Sequence, residues 1–256
     1  MKSRGIFLFK VNVVNCTIMG IVSSITGGLK KIGRGLAGLG SGLLGVISVG
    51  ISTFIGIPGF ILDIISGGIF GYLYPKKLRL TYFVLADEDN NPIVDDAAIQ
   101  ADFDLTKRIF REQSNVEVIR LGVFTALSPP ANAYDIRDVA QSYADIGGVV
   151  GNYFRSMAGL PTPLSNLTVF VVNTIDGNTG RSLAPLTNYV LVEKSRFVRP
   201  VAPSTTTAHE VGHACGLGPR HRTKKENLMY PGESRGEKLD FWQDAVIRRS
   251  RFVTAG

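Results

Sequence analysis

At 256 residues the chain has room for one ordinary domain and a substantial accessory segment, and a hydrophobic content of 45% is that of a folding protein. The net charge of +7 sits almost wholly in the first third: residues 1–80 hold nine Lys/Arg against one acid, whereas residues 81–256 hold 19 basic and 20 acidic groups. A near-neutral remainder excludes the basic stripe of a nucleic-acid-binding domain, and two cysteines, Cys16 and Cys215, define no disulfide framework.

Met1–Gly20 is only loosely like a signal peptide, because Lys10 interrupts the apolar run and no small-residue cleavage site follows; Met19 is an alternative start. Gly35–Leu62 then runs 28 residues without a charge, longer than the roughly 20 that a helix needs to cross a bilayer core. Small residues four apart (Gly38/Gly42, Ser52/Gly56, Gly67/Gly71) let helices approach closely in lipid. Lys30, Lys31 and Arg34 precede this region, and Lys76, Lys77 and Arg79 follow it. Positive flanks on both sides suit a hairpin bending at Pro58-Gly59, while a single tilted span avoids placing Asp63 in a short second limb. Residues 1–75 are thus expected to be a basic, Gly-rich apolar region, bound to a lipid bilayer through residues 35–75. A glycine-rich buried or flexible segment of a soluble protein is the plainer alternative.

From Lys76 the pattern becomes globular. Leu78–Ala86 reads as a strand and Asp87–Pro92 as a turn, which also accounts for the acidic run Asp87-Glu88-Asp89 better than a calcium loop does. Ala97–Gln113 repeats apolar residues at helical spacing (Ile99, Phe103, Ile109, Phe110) behind Asp95 or Asp96 as N-cap. Val116–Phe124 is a second strand, and Ile136–Met157 reads as a helix weakened at Gly147-Gly148. Leu167–Asn173 and Asn188–Glu193 are further strands, a helix covers about Thr206–Cys215, and a last helix runs from about Lys238 to Phe252. The sequons at Asn15 and Asn166 are short enough to arise by chance. This order predicts an α+β fold with helices on a mixed twisted sheet over residues 76–256.

The chain has three histidines, and all fall within His209-Glu210-Val211-Gly212-His213-Ala214-Cys215-Gly216-Leu217-Gly218-Pro219-Arg220-His221. Residues four apart share one helix face, so His209 and His213 can offer two imidazoles to one metal. Glu210 is rotated away from that line, which suits proton transfer better than ligation. Zinc with three protein ligands and one open position acidifies its water to a pKa of about 7, and Glu210 can then move that proton to a leaving amine. A surface helix that happens to contain two histidines is the bland alternative. The crowding of every histidine into 13 residues argues against it.

This stretch resembles the zinc signature of the metzincin metallopeptidases, H-E-x-x-H-x-x-G-x-x-H followed by a Met-turn. Gly216 matches the glycine that ends the helix, and Asn227-Leu228-Met229-Tyr230-Pro231 resembles the matrixin-like Met-turn, which implies Met229 beneath the metal. The resemblance spans about Leu78–Phe252. It further implies a substrate-aligning edge strand, assigned to Asn188, Tyr189, Val190, Leu191 and on to Glu193, that pairs with a peptide backbone. The sequence departs from the pattern at Pro219, where the third histidine belongs. His221, two residues later, is the expected replacement; Glu233, 20 residues after His213, is the alternative by likeness to thermolysin-type enzymes. Cys215 is expected to be a packed small residue, and Tyr230 to be structural rather than an oxyanion donor.

The implied function is that of a membrane-associated zinc endopeptidase acting on protein or peptide, with His209, His213 and His221 on Zn2+ and Glu210 as base and acid. The alternative is a membrane-active or structural protein with a degenerate, non-catalytic zinc domain.

Overall fold

The computed structural model describes residues 75–136, 148–159, 165–183, 187–198, 204–218, 221–232 and 234–255. Apart from Pro75, the bilayer segment expected at 35–75 lies outside them, as do Pro219 and Glu233. No helix among the described residues is long and apolar enough to cross a membrane.

The chain enters the sheet as β1 (Lys76–Leu85), whose alternate residues Leu78, Leu80, Tyr82 and Val84 are buried, as period-two patterning requires. Asn90 closes the predicted turn in a left-handed conformation, while the Asp87 carboxylate accepts from the Asp89 and Asn91 amides. Helix α1 (Asp96–Ser114) starts where Asp95 caps the Ala98 amide and ends at Asn115, again left-handed. The chain returns as β2 (Val116–Ala126), parallel to β1. A single turn, α2 (Ala131–Tyr134), and two short strands, β3 (Asp135–Ile136) and β5 (Thr174–Ile175), form a small parallel pair beside the main sheet. Helix α3 (Val149–Ala158) follows, and then β4 (Leu167–Val172), buried along its whole length because helices cover both sheet faces. The strands β6 (Gly180–Ser182) and β7 (Tyr189–Glu193) precede α4 (Thr206–Ala214), α5 (Phe241–Ile247) and β8 (Val253–Ala255).

The sheet order is β2-β1-β4-β7-β6, with β6 antiparallel to β7 and the other neighbours parallel; β8 pairs antiparallel with the start of β1. One core holds α1, α4 and the Leu228-Met229 turn against the sheet, and the other packs Phe154 of α3 on Phe170, Tyr189 and Leu191. The architecture is the expected α+β arrangement with a mostly parallel sheet.

Three expectations need correction. Ile136 begins no helix: it pairs in β3, and Asp135 accepts from Asn173 and Thr174; residues 137–147 of the predicted helix lie outside the described residues, and α3 covers its end from Val149. The last helix is shorter than Lys238–Phe252. It starts at the Asp240 capping box and stops at Ile247, where Arg248 turns to the Ser114 and Asn115 carbonyls and the chain moves into β8. The assigned edge strand is also wrong. Asn188 precedes β7, and Tyr189, Val190 and Leu191 lie between β4 and β6, nearly inaccessible to water. Among the described strands, the edge on that side of the sheet is β6.

Under α4, Asp102 of α1 is buried, accepts from the Tyr82 hydroxyl at 3.1 Å, and has its carboxyl pushed up from 3.8 to about 7 by burial, against the hydrogen bond from Tyr82. Because the folded value is raised, the associated stability is complete below about pH 4 and is lost as pH climbs to about 7. Asp102→Asn, neutral at every pH, should therefore gain on the native chain between pH 4 and pH 8 by up to about 4 kcal/mol in denaturant unfolding. Parallel pH profiles for the two proteins would refute this.

Candidate metal centre

Helix α4 is short and almost wholly buried, with Ala208 and Val211 in the hydrophobic core, His209 buried and His213 partly exposed. Gly212 lies between the two histidines. A Cβ there would stand 2.9 Å from Met229 Sδ, so the glycine is what lets the methionine pack directly beneath the helix. Met229 is fully buried. At the end of α4 the Gly216 amide donates to the His213 carbonyl, and Gly216 takes a φ of +104°, turning the chain out of the helix.

His221 comes back to the other two histidines. The Arg222 amide donates to the Met229 carbonyl at 2.8 Å, tying the returning chain to the turn below the helix, and Gly218 supplies a φ of +58° on the way. One potential ligand atom from each of His209, His213 and His221 lies within 4.8 Å of the others. The ring centroids of His213 and His221 are 5.2 Å apart, as are those of His209 and His221, whose planes are nearly parallel at 9°.

The hydrogen bonds define the chemistry of the nitrogens. His209 Nδ1 contacts the Leu228 carbonyl and His213 Nδ1 the Gly218 carbonyl, each at 2.7 Å. A carbonyl only accepts, so both Nδ1 atoms carry the proton. Burial pushes His209 down to about 2, with the charge on Arg235 adding to it, and pushes His213 down to about 4; His221 is also lowered by burial and Arg235. Neutral rings protonated at Nδ1 present lone pairs at Nε2, and the two Nε2 atoms face each other at 3.1 Å. Two lone pairs so placed repel unless a cation lies between them. The donor set, three neutral imidazoles with backbone carbonyls fixing two tautomers, fits a metal ion, zinc being the typical choice.

Glu210 points elsewhere. It is buried against β6: a Cβ on Gly180 would lie 2.7 Å from Glu210 Cγ and 2.8 Å from Oε1. Burial pushes its carboxyl up to about 8, while the charges on Arg235 and Arg181 and the Ser182 amide hold it down. A nearby dication would lower it further. Cys215 is buried and its thiol pushed up to about 12 by burial, which leaves it a packed residue. Tyr230 is half-buried, with its ring beside Gly232.

Two supporting residues went unnoticed in the sequence. Asn227 Oδ1 accepts from the Met229 amide at 2.8 Å, and Asn227 exchanges side-chain hydrogen bonds with Gln243 at 2.7 and 3.1 Å. Gln243 is also the N3 residue of the Asp240 capping box, so the start of α5 fixes the turn whose Leu228 carbonyl orients His209. The Asp240-x-x-Gln243 spacing was the readable signal. Asn227→Ala should weaken zinc binding about 10–100-fold in a chelator competition, as loss of outer-sphere support does. An unchanged affinity would show that the turn holds itself.

No protein-family model and no curated protein sequence matches the chain. Among solved structures it is similar to mature mirolysin of Tannerella forsythia in complex with a cleaved peptide, at 14% identity and a TM-score of 0.48, over 68% of this chain and 90% of that one. It is also similar to metalloproteinase-II of Bacteroides fragilis, at 13% identity and a TM-score of 0.44, over 70% of this chain and 54% of that one.

Proposed function

We propose that residues 76–256 form a zinc-dependent endopeptidase domain of metzincin-like type. The observation that carries this reading is the convergence of His209, His213 and His221, with two Nε2 lone pairs turned towards each other, while Gly212 between the first two packs on the buried Met229. His209, His213 and His221 would hold the ion. Zinc supplies Lewis acidity, polarising a peptide carbonyl and acidifying water.

The rest is work for the chain itself. Glu210 accepts the proton of the attacking water at its carboxylate and passes it to the leaving amine. Its seat against Gly180 limits its freedom, and it is not one of the three residues whose ligand atoms converge, which suits a proton carrier rather than a ligand. Met229, packed on Gly212, supports the floor beneath the histidines. The strand β6 ends the sheet order among the described strands, and a substrate backbone would extend the sheet on that side. That role replaces the one expected of Asn188–Leu191.

Attachment to a bilayer through residues 35–75 remains part of the proposal, supported by the 28-residue charge-free run and its basic flanks. The enzymatic reading is tested by hydrolysis of an unfolded protein substrate that requires both zinc and Glu210.

A further inference from the structure

The three histidines are not held alike. His209 and His213 each have Nδ1 against a backbone carbonyl, at Leu228 and Gly218. The ring of His221 makes no such bond to any described residue, and its contacts are the rings of the other two histidines. It is also exposed, so packing does little to hold it. The position of this ligand therefore rests on the backbone that carries it.

That backbone is tied twice at the next residue. The Arg222 amide donates to the Met229 carbonyl, and the Arg222 guanidinium meets Asp240 Oδ2 through Nη2 at 2.8 Å. Asp240 reaches beyond that one pair. Its Oδ1 accepts from the Gln243 amide at 2.9 Å, and Gln243 shares two hydrogen bonds with Asn227, the residue before Leu228. The Leu228 carbonyl then meets His209. One carboxylate at the start of α5 thus connects to two of the three ligands, to His209 through the turn and to His221 through Arg222.

Two other accounts of the pair are weaker. As a brace for the fold, an ion pair whose side chains are 49% and 42% exposed changes the folded-to-unfolded ratio by about fivefold at most. As an electrostatic partner of the metal, Arg222 has the wrong sign, since a cation near a dication opposes its binding. What remains is geometry. A charge-assisted hydrogen bond fixes the chain beside a ligand that makes no hydrogen bond of its own to the described residues.

We propose that the Arg222–Asp240 pair positions His221 for the metal, so that Asp240 is a positioning residue for two ligands of the site. This rests on the three-histidine metal centre of the reading above, and its test needs no turnover.

The experiment titrates Co2+ and Zn2+ into the metal-free full chain. The visible absorption of Co2+ reports the geometry of its ligands, and competition with a chromophoric chelator gives the zinc affinity. Arg222→Gln should bind zinc about fivefold more weakly than the parent, the whole worth of such a pair, and show an altered cobalt spectrum. Charge repulsion alone predicts tighter binding in that variant, so the direction separates the two accounts. Asp240→Asn keeps an equally good N-cap for α5 while losing the charge that Arg222 meets, and it should match Arg222→Gln. The double variant should lose no more than either single one, because both remove the same pair. Arg222→Lys should recover part of the loss. The gap between parent and single variants should narrow from about 0.01 M to about 1 M salt, as the screening length falls from about 30 to about 3 Å. Arg108→Gln is the control. It breaks a similarly exposed pair, with Glu237 at 2.8 Å, without touching Arg222, and should leave the cobalt spectrum of the parent. Unchanged or tighter zinc binding in Arg222→Gln, additive losses in the double variant, or an equal spectral change in Arg108→Gln overturns the proposal. A parent that takes up no metal ends the metal-centre reading along with it. A parent whose metal binding depends on His221 but is indifferent to the pair ends this proposal alone.

Discussion

His221→Ala should lower zinc affinity more than roughly 100-fold, beyond the range seen when an outer-sphere partner is lost, because it removes a ligand outright. The residue is exposed, and its neighbour Arg222 keeps the loop on Met229 through a backbone hydrogen bond that the substitution leaves untouched. The metal-free variant should therefore unfold at the same denaturant concentration as the metal-free parent. Added zinc should stabilise the parent and not the variant, since an ion stabilises a fold only to the extent that it binds the folded state. Glu233→Ala, the alternative suggested by spacing, should leave affinity nearly intact. A reversed ranking would move the third ligand to Glu233, and indifference to both changes would end the three-ligand account. Competition against a chromophoric chelator gives both numbers in one titration.

What could be read from the sequence depended on how local the determinant was. Strand β1, helix α1 and helix α4 are written in alternation, periodicity and capping within their own residues, so their positions follow from Leu78–Val84, from Asp95 with Ile99–Phe110, and from His209–His213. The site's core was legible for the same reason, since two histidines four apart on a helix are placed by the helix itself. His221 was a different matter: its return depends on Gly216, Gly218 and the Arg222–Met229 bond, a tertiary contact that spacing only suggests.

The misses share one physical cause. Strand β6 is Gly-Arg-Ser, three residues without a β-branched or aromatic side chain, and it is a strand only because β7 is there to pair with. A continuous apolar run such as Tyr189–Val192 is what a strand buried on both faces looks like, and reading it as an edge overlooked that rule. Strand β8 exists through the start of β1, more than 170 residues away, so nothing within Val253–Ala255 marked it as a strand.

Glu210→Gln should remove hydrolysis while sparing the metal. The amide keeps the size and most of the packing of the carboxylate against Gly180, and the three imidazoles are untouched, so the fold and zinc affinity should persist. An amide takes up no proton at neutral pH, so the loss should be at least the ~10²–10⁴-fold that a positioned general base contributes. It should fall on kcat, with KM little changed, because proton transfer belongs to the transition state rather than to substrate binding. The decisive measurement combines elemental analysis and turnover on the same preparations of the full chain, parent and Glu210→Gln, after exchange into zinc-free buffer. The structure predicts one zinc per chain in both proteins, and cleavage of an unfolded protein substrate by the parent alone. Parent protein that holds no zinc, or a zinc-loaded Glu210→Gln that cleaves as fast as the parent, would contradict it.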